Sequence, residues 1–263
     1  MNILETIVIQ KKKEISLKKS VISVGQLERS YLFNQPTRSL SKALQNSSSG
    51  IIAEHKRRSP SKSVINQTAR IQDVALGYEI AGACGMSVLT DGIFFGGSLD
   101  DLILARASCN LPLLRKDFII DPYQVIEAKA HGADVILLIS AILDKNEFQT
   151  LANLADSLNM EVLAEVHDEM ELDNIIDCKI DLLGVNNRNL KTFDVNLEIS
   201  RALSKRIPQN MVKVSESGIS SIDAINDLRN FGYKGFLIGE TFMKTDDPGK
   251  TAEKFIKAIK DET

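Results

Sequence analysis

PLLRKDFIIDPYQVIEAKAHGADVILLIS, Pro112 to Ser140, holds one whole repeating unit of this chain. It opens on a short apolar run, Pro112 to Leu114, that ends in charge at Arg115-Lys116-Asp117. It closes on a second run, Val135 to Ile139, with no polar residue inside it. Between the two, Asp121 reads as an N-cap and Pro122 as the first helical residue, where a missing N–H is harmless. Val125, Ile126, Lys129 and Ala130 follow at helical spacing. A continuous apolar run is a strand buried on both faces, and two such strands joined by a helix call for parallel pairing with a crossover.

The unit recurs along the chain. Apolar runs occur at Ile51 to Ala53, Gly85 to Leu89, Pro112 to Leu114, Val135 to Ile139, Met160 to Ala164, Leu182 to Val185, Met211 to Val214 and Gly235 to Ile238, eight in all. Helical spacing returns between them, as in Phe148, Leu151, Leu154, Ala155 and Leu158, then over Ser220 to Phe231 and Pro248 to Lys260. Eight units predict closure into a (β/α)8 TIM barrel, a fold that uses about 250 residues as one core. A doubly wound open sheet is the alternative, but no GxGxxG follows the first strand. The expected organisation is therefore a single barrel domain over residues 1–263, with residues 1–48 as an N-terminal helical extension packed on it. In that extension Ile3, Leu4, Ile7 and Val8 share a stripe with Lys11 to Lys13 at its polar end, and the lysines read as a solvated helix face rather than an anion patch. Asn46 to Gly50, NSSSG, reads as a turn.

Bulk composition excludes several classes. The 263 residues are 43% hydrophobic and 25% charged, close to the globular average, which argues against disordered and fibrous chains. A net charge of −3, from 32 basic and 35 acidic residues, gives no general attraction for nucleic acid. Cys84, Cys109 and Cys178 are far apart without CxxC spacing, so neither a disulfide framework nor a structural zinc is expected. The N-terminal stretch lacks an uninterrupted apolar segment, and no run reaches the length of a membrane span. A cytoplasmic protein is expected, acting without nucleic acid, membrane or metal.

Barrels of this class do their chemistry where strands end. Those ends are polar here: Glu54-His55-Lys56, Arg115-Lys116-Asp117, Glu165, Asn186-Asn187-Arg188, Ser215-Glu216-Ser217-Gly218 and Gly239-Glu240. Side chains alternate along a strand, so Glu54 and Lys56 share the inward face with Ile52 while His55 turns toward the helices. Strands one, three and five then aim Lys56, Lys116 and Glu165 at one mouth. A single buried lysine or glutamate is as often a satisfied salt bridge as a working group, but several converging in one pocket are poor stabilisers and better explained by work on a substrate. His55, His131 and His167 are too scattered for a ligand cluster and read as structural or surface residues. Gly218 and Gly239 follow strands seven and eight, where barrels often hold phosphate on backbone N–H groups.

Taken together, these motifs resemble the indole-3-glycerol phosphate synthase family. The resemblance is carried by IIAEHKRRSPSKS at Ile51 to Ser63, PLLRKDFIID at Pro112 to Asp121, LAEVHDE at Leu163 to Glu169, GVNNRNL at Gly184 to Leu190, KVSESGI at Lys213 to Ile219 and LIGETFM at Leu237 to Met243. His55, Asn187 and Glu240 fall at positions given little weight. The resemblance implies conversion of 1-(2-carboxyphenylamino)-1-deoxyribulose 5-phosphate, a phosphorylated small molecule, to indole-3-glycerol phosphate, carbon dioxide and water, by a monomer that needs no cofactor. It implies a catalytic set of Lys116, Glu165, Lys56, Glu54, Asn186 and Ser217. Lys116 would be the acid of ring closure and Glu165 the base, while Lys56 would bind the carboxylate or act as acid in dehydration; which lysine serves which step stays open. Ser59, Phe95, Phe118, Arg188, Glu216, Gly218, Gly239 and Glu240 would bind substrate, Glu240 through its backbone N–H. Phe95 and Phe118, taken from strands two and three, would flank the anthranilate ring, with Leu137 of strand four read rather as ordinary core; the segment Arg57 to Gln67 would close over it, its Arg57-Arg58 pair otherwise reading as solvated loop. Two other readings stand beside this one: an isomerase of phosphoribosylanthranilate, and a catalytically silent phosphate-binding protein.

Overall fold

The eight strands pair in parallel and in sequence order, β1 closing on β8, in a computed structural model that describes residues 3–190 and 192–261. Before the barrel come α1 (Ile3–Val21), α2 (Val24–Glu28), a single 3-10 turn at Tyr31–Asn34 and α3 (Leu40–Gln45). The barrel then runs β1 (Ile51–His55), α4 (Ile71–Ala81), β2 (Gly85–Leu89), α5 (Gly92–Phe95), α6 (Leu99–Ser108), β3 (Leu113–Lys116), α7 (Pro122–Ala130) and β4 (Val135–Ile139). Its second half runs α8 (Lys145–Ser157), β5 (Glu161–Val166), α9 (Glu169–Ile175), β6 (Leu182–Asn186), α10 (Glu198–Ser204), β7 (Val212–Glu216), α11 (Ile222–Asn230), β8 (Tyr233–Ile238), α12 (Glu240–Met243) and α13 (Pro248–Asp261). No helix among the described residues is long and apolar enough to cross a membrane.

Local chemistry accounts for the elements. The Asp121 carboxylate accepts the Tyr123 N–H at 2.9 Å, capping α7 with Pro122 in its first turn. In α8, Asp144 and Glu147 form a reciprocal capping box. Several strands run one or two residues beyond the apolar runs, because β1, β3, β5, β6 and β7 all continue into the polar residues that end them. Those residues therefore stand on the sheet itself and not on loops.

The register sorts the interior into layers. Tracing hydrogen-bonded partners across two strands leads from Glu54 through Ser87 to Leu114, from Glu165 through Gly184 to Val214, and from Glu216 through Leu237 to Ile52. Each trace ends two residues below the next polar end, the offset that strand tilt imposes on a closed barrel. Ile52, Leu114, Leu163 and Val214 thus form one apolar layer from the odd strands. Two residues higher on the same strands stand Glu54, Lys116, Glu165 and Glu216. Ser87, Leu137, Gly184 and Leu237, from the even strands, lie between. A core layer that apolar residues fill lower down is filled here by three carboxylates and an ammonium.

Lys11 departs from the sequence reading. Lys12 and Lys13 are exposed, but Lys11 is 1% exposed and its ammonium lies 2.9 Å from both Asp91 and Asp117. Helical periodicity turns it inward on the face of Ile7 and Ile15, where two buried carboxylates need a cation. The stripe of α1 thus does more than pack on the barrel, because it delivers one leg of a buried ion cluster.

Candidate active site

A cavity of about 330 Å³ opens at the C-terminal ends of the strands. Every candidate residue lines it: Lys116, Glu165, Lys56, Glu54, Asn186 and Ser217, together with Ser59, Phe95, Phe118, Arg188, Glu216, Gly218, Gly239 and Glu240. At its floor the Lys116 ammonium is 3.0 Å from Glu165 Oε2 and 3.2 Å from Glu216 Oε2. Lys56 lies past the end of β1, one step above this layer, and reaches back to Glu54 Oε1 at 2.6 Å. Asn186 donates to Glu165 Oε1 at 3.2 Å and accepts the Arg188 N–H at 3.0 Å, tying the base candidate to the loop after β6.

Burial sets the electrostatics. It opposes the charge on Lys116, yet Glu165, Glu216 and Glu54 outweigh it and hold the ammonium well above the ordinary lysine value. Burial likewise disfavours ionised Glu165, but Lys116 and then His167 hold its carboxyl below the usual value. For Glu216 burial wins: with Lys116 already shared and Glu165 adding repulsion, its carboxyl is pushed up to about 7. Like charges in one layer cannot all ionise freely, so two neighbouring carboxyls are driven apart in acidity, an arrangement typical of acid/base sites.

Two glycines make room for these carboxylates. A Cβ on Gly184 would lie 2.3 Å from Glu216 Oε1, and one on Gly239 would lie 2.4 Å from Glu54 Oε1. Neither position stood out for this reason in the sequence, since a close approach across strands is invisible there. After β7 the chain turns sharply, with Ser217 at φ 66° and Gly218 at φ 78°. Ser217 is a non-glycine residue in the left-handed region, a strained conformation. Asn187 holds it: the side chain donates to the carbonyls of Glu216 at 2.9 Å and Ser217 at 3.2 Å and to Ser215 Oγ at 2.9 Å. Asn187, given little weight from sequence, is fully buried behind the site and fixes this turn.

The walls correct other details. Phe95 and Phe118 face each other with centroids 6.0 Å apart, but they stand on α5 and on the loop after β3 and not on strands. Ile3, Leu4 and Ile7 of α1 also line the cavity, so the extension forms part of the wall. Arg57 is no solvated loop residue. Its guanidinium grips Asp101 of α6 in a two-pronged pair, 2.8 Å on one prong, and pins the loop after β1. Farther along that loop, Lys62 reaches the Glu240 carboxylate at 2.7 Å and ties the loop after β1 to α12. His55 turns outward and is buried, and His131 bonds back to the Glu127 carbonyl at 2.7 Å. His167 departs from its reading as structural or surface, because its Nε2 is 3.4 Å from Glu165 Oε1.

This geometry sets a held ammonium between one carboxyl lowered and one raised in acidity, beside an apolar wall, an arrangement suited to proton transfer. Residues 4–255 match the model of a family described as indole-3-glycerol phosphate synthase. The chain belongs to the indole-3-glycerol phosphate synthase family. An indole-3-glycerol phosphate synthase of Bacteroides thetaiotaomicron is 50% identical over 258 residues, covering 98% of this chain and 99% of that one. Another, from Bordetella pertussis, is 42% identical over 252 residues, covering 94% and 96%. Among solved structures, thiamine phosphate pyrophosphorylase from Pyrococcus furiosus superposes with a TM-score of 0.60 at 17% identity, over 81% of this chain and 96% of that one, a likeness of fold alone. Membership of the synthase family decides among the acid/base barrels that the sequence left open.

Proposed function

We propose that the cavity converts 1-(2-carboxyphenylamino)-1-deoxyribulose 5-phosphate to indole-3-glycerol phosphate, with Lys116 as acid of ring closure, Lys56 as acid of dehydration and Glu165 as base. The observation that carries the assignment is Lys116, suspended between Glu165 and Glu216 at the cavity floor. When the ring carbon bearing the carboxylate attacks the ketone, negative charge grows on the ketone oxygen. Lys116 is a fixed ammonium in a buried setting, where such charge is stabilised most. An alkoxide is basic enough to take its proton even though the neighbouring carboxylates hold that proton tightly.

Loss of carbon dioxide returns electrons to the ring and restores its aromaticity. Dehydration then needs a proton for the departing hydroxyl, from Lys56 steered by Glu54, and removal of the proton on the carbon beside nitrogen, by Glu165. Two protons are given and one is taken. Glu165 can return its proton to Lys116 at 3.0 Å, and water resupplies Lys56. Phe95 and Phe118, packed on each other, offer an aromatic wall against which the substrate ring would lie. The Ser217-Gly218 turn, Gly239 and the backbone N–H of Glu240 suit the phosphate, with Ser59 above. Arg188 offers the planar fork that a carboxylate or paired hydroxyls would engage. The protein acts alone, in the cytoplasm, on this phosphorylated small molecule.

The test is one assay with that substrate and no added metal. Indole fluorescence and carbon dioxide should appear together in equal amounts. Isomerisation without carbon dioxide, or tight binding without turnover, would overturn the reading.

A further inference from the structure

His167 is the one imidazole near the acid/base layer. It follows β5, two residues after Glu165 on the same inward face, so alternation stacks it above that carboxylate. Its Nδ1 is 3.0 Å from Glu171 Oε2, and the same carboxylate oxygen accepts the His167 backbone N–H at 2.8 Å. This double hold from α9 fixes the ring and leaves Nε2 pointing back into the protein. There Nε2 is buried without a hydrogen-bond partner, 3.4 Å from Glu165 Oε1. Glu165 Oε2 is already on Lys116 and Oε1 already takes the Asn186 amide.

The reaction makes this geometry consequential. Once Lys116 has protonated the ketone oxygen it is neutral, and Glu165 loses its principal cation while still needed as a base. Glu216 from β7 then adds only repulsion or a neutral acid, and Asn186 from β6 carries no charge. We propose that His167 is a positioning residue whose imidazolium, clamped by Glu171, is the second cation on Glu165 and keeps that base ionised and aimed after Lys116 has given up its proton. The charged groups facing it are Glu165 on its own strand, Glu171 from α9 and Glu216 from β7, with Lys116 of β3 acting on the same Glu165. Burial works against a charged imidazole here, but the bond to Glu171 and the charge of Glu165 outweigh it and raise His167 above its ordinary value. The inference rests on Glu165 being the base.

The experiment is the pH dependence of kcat for wild type, His167→Gln and Glu171→Gln, with Glu165→Gln alongside. Glutamine keeps a polar group over Glu165 but no charge. The acid limb of His167→Gln should move up by about one pH unit, so that its rate deficit is largest below neutrality and narrows as pH rises, with KM nearly unchanged. Glu171→Gln should move the limb the same way by less. An equal deficit at every pH, or a limb that stays in place in both variants, would overturn the proposal. Near-normal turnover of Glu165→Gln would remove the base assignment itself, whereas an inactive Glu165→Gln beside an unshifted His167→Gln removes only the role of His167.

Discussion

Strand β3 carries two buried ion clusters on consecutive residues, and they are built on opposite rules. Inward, Lys116 meets Glu165 and Glu216 at the cavity. Outward, Arg115 and Asp117 join Lys11, Asp91 and Glu127 between the sheet and α1 and α7. In the outward cluster Arg115 donates to Thr90, Gln124, Asp117 and Glu127, and Asp117 also accepts the Thr90 hydroxyl. No buried side-chain atom of these five residues lacks a partner, while on the inward side Glu216 Oε1 and His167 Nε2 do. Burial opposes both charges, but Lys11 and Arg115 hold Asp117 well below the usual carboxylate value, and Asp117 and Glu127 hold Arg115 charged. Asp117 and Arg115 are thereby locked in their charged forms. A closed network is architecture, and an under-satisfied one open to a cavity is available for chemistry.

The largest expected effect tests the inward side. Lys116→Met should lower kcat by about 10³-fold or more with an unchanged circular dichroism spectrum, as loss of a positioned acid in a buried site does. Residual turnover near wild type would end the contrast. Lys11→Met is the mirror experiment: it leaves Asp91 without its cation and Asp117 with Arg115 alone, and should destabilise the protein by about 3–5 kcal/mol in urea titrations. A loss below about 1 kcal/mol would show that the outward cluster is not the clamp described here. Glu165→Gln should reduce kcat by about 10²-fold while substrate still binds, measured by ligand-protected melting.

Smallest is the effect of Glu216. Its folded carboxyl sits at about 7 against an ordinary 4.5, so the folded state holds this proton better than the unfolded chain does. The associated stability is complete below about 4.5 and is lost as pH rises toward 7. Glu216→Gln removes that dependence, so its melting temperature relative to wild type should rise by ~2–4 °C between pH 5 and pH 8. An unchanged difference would mean that Glu216 is ionised throughout.

Much of the site was readable in one dimension because period-two alternation and strand-end position place Glu54, Lys116, Glu165 and Glu216 on the same inward face. Other parts were not. Lys11 looked like its exposed neighbours Lys12 and Lys13, and only the docking of α1 separates them. His167 and Asn187 looked like ordinary residues just past strands, since their partners lie on α9 and β7.

The sequence by itself determined the number and order of strands, the inward parity of the charged ends and the family, because apolar period, capping residues and contiguous motifs are local properties of the chain. Only the tertiary structure decided which inward residues share a layer, which lysine is buried and which histidine meets Glu165. Those depend on the tilt with which the barrel closes and on where α1 lands, and both are set by packing between segments far apart in the chain.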